Sequence, residues 1–312
     1  MDVLISLGLI FLHMTLTASL IGLVVLVLRA LLRRVPKKYT WLLWLPVLFR
    51  MVCPLSFSTA ISILSPLVKV GWVTSLSAKL GFALNLPFAA QIIIPFTAPK
   101  SLWAQAILMI VAVVWISGTI FFWVMNAVPY LRLKERMKNG CEHLEGSFYL
   151  SERLSSSLIL GFFHPRVYLP KGLTPEELHL QMVHAQMHLR RLDYFFQPLW
   201  FIITVIHWCN PLAWVFHNQM LHDLEHACDE MTLDQLDESQ QEAYFTFLLS
   251  LANTQSNQFV NTCPLAIGEK RSENRITHLK KYRRISRPYA GLALVILCIL
   301  MIILLSNPLS VL

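Results

Sequence analysis

The sequence predicts a mainly α integral-membrane protein, with four transmembrane helices and a polar α+β domain inserted between the third and the fourth. Three observations carry this. The chain of 312 residues is 55% hydrophobic and only 14% charged, where a soluble domain carries about 25% charged residues. Four apolar stretches are each long enough for a bilayer core, which takes roughly 17–25 helical residues. Lysines and arginines gather at alternate ends of those stretches, the bias that orients a membrane protein. The formal net charge of +8 then reads as attachment to anionic lipid on the cytosolic side. No basic stripe interleaved with aromatics points to direct binding of nucleic acid.

The first stretch, about residues 3–28, ends in Arg29, Arg33, Arg34, Lys37 and Lys38. A signal peptide has its basic residues before the apolar run; here the order is reversed, so the stretch reads as a true span with its N-terminus outside. The second, about residues 39–64, opens with Trp41 and Trp44 as interface anchors. Its Arg50 must face protein or water, or reach out to the membrane surface, and Pro54 ends or kinks the helix. Residues 65–100 hold only three basic residues, Lys69, Lys79 and Lys100, and suit an outside loop. The third span, about 101–128, is followed by Arg132, Lys134, Arg136 and Lys138 on the inside. These parts make up a membrane domain, 1–130. A cytosolic domain, 131–287, holds ten of the eleven histidines and ends in a tract from Lys270 to Arg287 with eight Lys or Arg. A fourth span and short outside tail fill 288–312. Both termini lie outside and the insert in the cytosol. Cys53 and Cys298 fall in apolar segments and the other four cysteines in the insert, where thiols stay reduced, so no disulfide and no cysteine zinc site are expected. His13, in the first span, reads as a buried polar contact.

Within the insert, Ser147–Leu150 and Arg166–Leu169 read as strands, with turn signals at Leu160-Gly161 and Pro170-Lys171-Gly172. Thr174-Pro175-Glu176-Glu177 is a helix start: Thr174 as N-cap, Pro175 in the first turn, Glu177 closing a capping box. That helix runs to about Arg191. Residues 197–216 are very apolar but broken at Asn210-Pro211, which suits a buried or membrane-surface helix. The next helix covers about 212–236. Arg190 and Arg191 read as surface or headgroup contacts.

Chemistry concentrates on the first of these helices. Val183-His184-Ala185-Gln186-Met187-His188 is an H-E-x-x-H motif whose glutamate is alanine. Histidines four apart share a helix face and grip one Zn²⁺ together, and the residue after the first supplies the carboxylate that takes a proton from the attacking water. Ala185 cannot. A lone H-x-x-x-H is weak, since about 0.4 such pairs are expected by chance at this histidine content, and His222 and His226 form a second pair. The capped helix strengthens the first pair, as does the acidic run His222-Asp223-Leu224-Glu225-His226-Ala227-Cys228-Asp229-Glu230 some forty residues on. A zinc peptidase needs a third protein ligand; Glu225 fits, with His222 or His226 as alternatives. Asp229, one turn later, suits a hydrogen bond that orients a ligand histidine. His207 and Asn210 either donate to a developing oxyanion or merely pack the core and form a turn.

Together these stretches resemble the BlaR/MecR-type β-lactam sensor-transducers, a family of integral-membrane zinc metallopeptidases. The likeness runs through residues 183–193, through Ile206-His207-Trp208-Cys209-Asn210-Pro211-Leu212, through residues 225–230, and through Leu160-Gly161-Phe162-Phe163-His164-Pro165-Arg166-Val167-Tyr168-Leu169-Pro170. It covers essentially the whole chain. The resemblance implies a gluzincin-like zinc domain between the third and fourth spans, with His184, His188 and Glu225 as zinc ligands, Asp229 behind them and a catalytic glutamate at position 185. It also implies self-cleavage in the cytosolic domain and control of a transcriptional repressor. Two departures matter. Ala185 removes the base, which costs about 10²–10⁴-fold or more; an engineered inactivation and a natural pseudoprotease both account for it. The chain also ends soon after the fourth span, so the extracellular penicillin-binding sensor domain, and with it β-lactam sensing, is not carried over.

The expectation is therefore a disabled membrane zinc metallopeptidase of the bacterial plasma membrane. Its partners are membrane lipids, itself as proteolytic substrate and a cytosolic repressor, and an oligomer is compatible with the sequence. The stretch Asn261–Glu269, with Leu265-Ala266-Ile267, reads either as an extended edge that enters the cleft or as a hinge. The competing classes are a non-catalytic receptor stiffened by zinc and a small transporter with incidental histidines.

Overall fold

The computed structural model describes residues 2–33, 35–53, 57–59, 102–138, 141–154, 156–254, 267–268, 272–280, 282 and 287–308. The expected outside loop, 65–100, and residues 261–266 lie outside the described residues, as does the side chain of His13. The chain divides into two units. One takes residues 1–32, 42–115 and 287–312, the other 33–41 and 116–286.

The first unit holds α1 (Asp2–Leu31), α3 (Trp44–Val52), the start of α4 (Leu102–Lys138), α10 (Arg287–Leu305) and two short strands, β1 (Phe57–Thr59) and β7 (Ser306–Pro308), paired in parallel. α1 packs on α3, and Ala18, Ile21 and Val25 are buried, as are Trp44, Val47, Leu48 and Met51. α3 stops at Val52, and Cys53 is extended (φ −117°, ψ 120°), as a residue before proline must be. Arg50 is buried and donates from Nη2 to the carbonyl of Leu305. Its charge thus meets the negative end of α10 rather than the hydrocarbon.

Two helices are long and apolar enough to cross a membrane, α1 over Met14–Leu31 and α4 over Met109–Lys138; α10 is apolar over a shorter reach, Gly291–Leu305. Along α4, Ile107, Ile110, Val113, Ile120, Trp123 and Met125 are exposed. A helix that is apolar all round and unburied needs an apolar solvent. α4 also runs past Val128, through Pro129 and the basic residues, to Lys138.

The second unit begins with α2 (Lys37–Thr40) and, after α4, builds a mixed five-stranded sheet in the order β2-β3-β5-β4-β6. The strands are β2 (Cys141–Glu145), β3 (Phe148–Ser151), β4 (Leu158–Leu160), β5 (Arg166–Pro170) and β6 (Ile267–Gly268). β3 and β5 are parallel and the other pairs antiparallel. Strand alternation sends Leu158, Leu160 and Tyr168 to one face with Met137. It sends Ile159, Val167 and Leu169 to the other, against Ala185. Leu160-Gly161 is the end of β4 as well as a turn: Gly161 has φ +111°, and a Cβ there would lie 2.3 Å from the His164 carbonyl oxygen.

Five helices complete the unit: α5 (Pro175–Arg190), α6 (Asp193–Ile206), α7 (Pro211–Gln235), α8 (Glu238–Thr254) and α9 (Ser272–Leu279). The capping box on α5 is formed in full. Leu180, Leu233, Leu236, Tyr244, Phe247, Leu248, Ile276 and Leu279 make the core that joins α5, α7, α8 and α9.

Candidate metal centre

α5 presents His184 and His188 one turn apart, both buried, with their Nε2 atoms 3.2 Å apart. α7 crosses α5 and brings Glu225 to them. Its Oε2 is 4.0 Å from His184 Nε2 and 3.9 Å from His188 Nε2. That oxygen is buried and has no hydrogen-bond partner. Two imidazole edges and a carboxylate oxygen without a hydrogen-bond partner face one another in a dry site, an arrangement that a shared cation satisfies, as does a shared proton. A point about 2.2 Å from all three atoms exists, within a few tenths of an ångström of ~2.0–2.2 Å Zn–N and Zn–O bonds. The donor set fits the ion.

Each histidine is held from behind. His188 Nδ1 is 2.8 Å from Asp193 Oδ2, a fully buried carboxylate at the start of α6. This contact fixes the proton on Nδ1 and leaves the Nε2 lone pair toward the ligand point. Leu192, in the left-handed region at φ 59°, makes the tight turn from α5 into α6 that delivers Asp193. His184 Nδ1 is 3.0 Å from the Tyr244 hydroxyl, which donates to Asp229 Oδ1 at 2.9 Å. Asp229 itself lies 3.4 Å from His184 Nδ1, so its link to the imidazole runs chiefly through the tyrosine. Arg275 of α9 closes the far side of Asp229 with bonds from Nε at 2.8 Å and from Nη2.

The electrostatics follow the geometry. Burial pushes His184 down, and His188 beside it pushes further. Burial alone would also lower His188, but Cys228, Glu225 and Asp193 outweigh it and hold it up. Burial raises the Glu225 carboxyl. It would raise Asp229 too, but the Arg275 guanidinium overrides it and leaves that carboxyl at about 2. Cys228 also lies here: its Sγ, with nitrogens of His184 and His188, makes a donor group within 4.8 Å. The thiol sits 3.7 Å from His184 Nδ1, the nitrogen that Tyr244 occupies, and burial raises it. Glu225, aimed at both Nε2 atoms, is the better-placed third donor.

The remaining sequence candidates fall elsewhere. Asn210 caps α7, its Oδ1 accepting from Leu212 N at 3.0 Å. It stands fifteen residues before Glu225 on one continuous helix, about 22 Å of axis. His207 is buried where α6 ends, about 20 Å of helix from Asp193. Its neighbour Trp208 packs on Gly118 and Phe122, the packing alternative of the sequence reading. His226 stacks on His278 at 4.3 Å rather than joining the ligand point. Ala185 is buried against Ile159, Val167 and Leu169. Arg275, in the basic tract that ends the insert, is 2% exposed, and Arg191, expected as a surface or headgroup contact, lies over the Trp41 ring at 5.0 Å. Asp193, Tyr244 and Arg275 escape a sequence reading because they come from three helices that meet only on folding. Only the closeness of Asp193 to the motif is a signal.

Residues 9–279 match a family model described as BlaR1 peptidase M56. A stretch of 90 residues is 26% identical to the regulatory protein BlaR1 of Bacillus licheniformis, covering 28% of this chain and 15% of that protein. Another of 132 residues is 21% identical to the methicillin resistance mecR1 protein of Staphylococcus aureus, covering 41% of this chain and 22% of the relative. The matched stretches thus amount to less than a quarter of either relative's length.

Proposed function

This chain belongs to the BlaR1 peptidase M56 family, and from that footing we propose that it is a membrane zinc metallopeptidase of transmembrane signalling whose catalytic step is disabled at Ala185. The observation that carries the reading is the convergence of His184, His188 and the otherwise unsatisfied Oε2 of Glu225 on one point. Zn²⁺ bound there supplies Lewis acidity that polarises a scissile carbonyl and acidifies water.

The rest falls to the chain's own side chains. Asp193 and the Tyr244–Asp229–Arg275 relay hold the imidazoles with Nε2 inward. Glu225 offsets part of the ion's charge. The proton from water needs a carboxylate at 185, where the methyl of Ala185 has no basic atom, so proton transfer stops there. β6 pairs antiparallel with β4 at the sheet edge. We take this edge as the register in which a peptide is presented, with the chain's own segment before α9 as one substrate and a cytosolic repressor as another. Four spans, a gluzincin-like domain between the third and fourth, and both termini outside complete the proposed arrangement in a bacterial plasma membrane.

The test is Ala185→Glu. Zinc-dependent cleavage of the chain or a partner is expected, seen by intact mass and abolished by His188→Ala. A zinc-loaded Ala185→Glu protein that stays whole would sink the peptidase reading and favour a receptor stiffened by its metal.

A further inference from the structure

The β4–β5 turn carries Phe163, which is 79% exposed, the most exposed phenylalanine among the described residues. It is not isolated. Its ring contacts Phe162 at 5.0 Å, Phe162 contacts Phe195 at 4.7 Å, Phe195 contacts Phe196 at 5.7 Å, and Phe196 meets Trp41 at 6.1 Å. A continuous aromatic strip therefore crosses the second unit, from the turn to the juxtamembrane segment. Leu192 adds to it: 46% exposed and held at positive φ, it accepts at its carbonyl from the backbone N–H groups of Phe195 and Phe196.

The occupant is read from the chain and its charges. Trp41 follows Leu31, the end of an apolar helix long enough to span, by ten residues, at most about 35 Å of extended chain. Arg190, two residues before Leu192, and Arg33, eight before Trp41, are exposed, and the chain carries a formal net charge of +8. Aromatic rings prefer the headgroup layer of a bilayer, and a basic chain suits anionic phosphates.

We propose that the strip from Trp41 to Phe163 is a lipid-docking surface that seats the β4–β5 turn in the interfacial layer of a glycerophospholipid bilayer. The ligand class is the phosphate headgroup with the upper acyl chain. The sheet edge at β4, and any peptide paired to it, then lies against the membrane, so the peptides cut by the active form are membrane-proximal ones. The inference rests on the membrane reading above.

The experiment uses the full chain with every cysteine but buried Cys228 replaced by serine, in phosphatidylcholine–phosphatidylglycerol liposomes. Single cysteines at Phe163→Cys, Ile120→Cys in α4 and Glu238→Cys on the exposed start of α8 carry an environment-sensitive fluorophore. Lipids nitroxide-labelled high on the acyl chain serve as quencher. The label at 163 is expected to emit blue-shifted and to be quenched at least half as strongly as that at 120, with 238 unquenched. A quenched 120 beside an unquenched 163 overturns the docking surface alone. A label at 163 that is blue-shifted yet unquenched assigns the strip to a protein contact, such as a second copy, and also overturns it. Loss of quenching at both positions overturns the membrane reading itself.

Discussion

Asp193 shows how much a single side chain decides at this site. Its carboxylate is fully buried, 2.8 Å from His188 Nδ1, and it sits there because Leu192 takes a left-handed turn. Replacing it by asparagine keeps the shape but gives up the negative charge behind the ligand. We expect Asp193→Asn to weaken zinc binding by about 10–100-fold, measured by competition with a chelator, with little change in helical content. Ala185 teaches a second lesson. Its Cβ packs among apolar residues of β4 and β5, so a glutamate restored there enters a tight, dry place. Burial would raise that carboxyl, which suits a base working near neutrality, but the added bulk costs about 1–3 kcal/mol. Thermal unfolding of Ala185→Glu without metal should show that loss. The histidine pair was legible in the sequence, because helical spacing alone puts residues 184 and 188 together. Asn210 was legible only as an ambiguity, and the structure gives it to the cap of α7.

Among the elements, α7 is the one on which the others converge. Glu225 and Asp229 face α5 and α9, while Glu230 accepts the backbone N–H groups of Lys37 and Lys38 at 2.8 and 2.9 Å and contacts His278 at 2.9 Å. Lys37 pairs with Asp223, and Lys38 with Asp234 and the Tyr282 hydroxyl. The segment around Lys37 and Lys38 thus caps itself on the helix that carries Glu225, whereas the sequence assigns residues 33–41 to the membrane part. Two predictions belong here. Arg275→Ala leaves Asp229 charged in a site with no exposure, and such losses cost about 3–5 kcal/mol. The variant should melt early and bind less zinc, as calorimetry and metal analysis would show. The Lys38 clamp should fail in alkali. Burial alone would lower the Lys38 amine, but Asp234 and Tyr282 raise it above its usual 10.5. Burial raises Tyr282 from 10.0 to about 12. Both folded-state values lie above the unfolded ones, so their contribution is whole below about pH 10 and is lost as pH climbs toward 12. The melting temperature should fall across that window, and less so in a Lys38→Met, Tyr282→Phe variant.

For the whole molecule, the strongest physical statement is the exposed apolar surface of α4. Its apolar stretch from 109 to 128 has no buried residue, which water would not tolerate over such a length. The proposed four-span topology predicts that reporters fused after residues 100 and 306 report the outside, and those after residues 36 and 138 the cytosol. A reporter after 306 that reads cytosolic would remove the fourth span and leave α10 as a shorter, embedded helix.

The sequence by itself determined the elements whose signals are local: the apolar length of α1 and α4, the capping box on α5 and the turn of a helix between two histidines. It also reached Glu225 and Asp229, one turn apart, because their acidic run follows the capped motif. Only the tertiary structure decided which groups stand behind His184 and His188. Asp193, Tyr244 and Arg275 are 82 residues apart at their widest, and nothing in their local sequence encodes that α6, α8 and α9 close on the same imidazoles. For α8 and α9 that closure is set by the apolar core they share with α5 and α7, a non-directional force that places polar groups only once the helices have packed; for α6 it is set by the turn at Leu192.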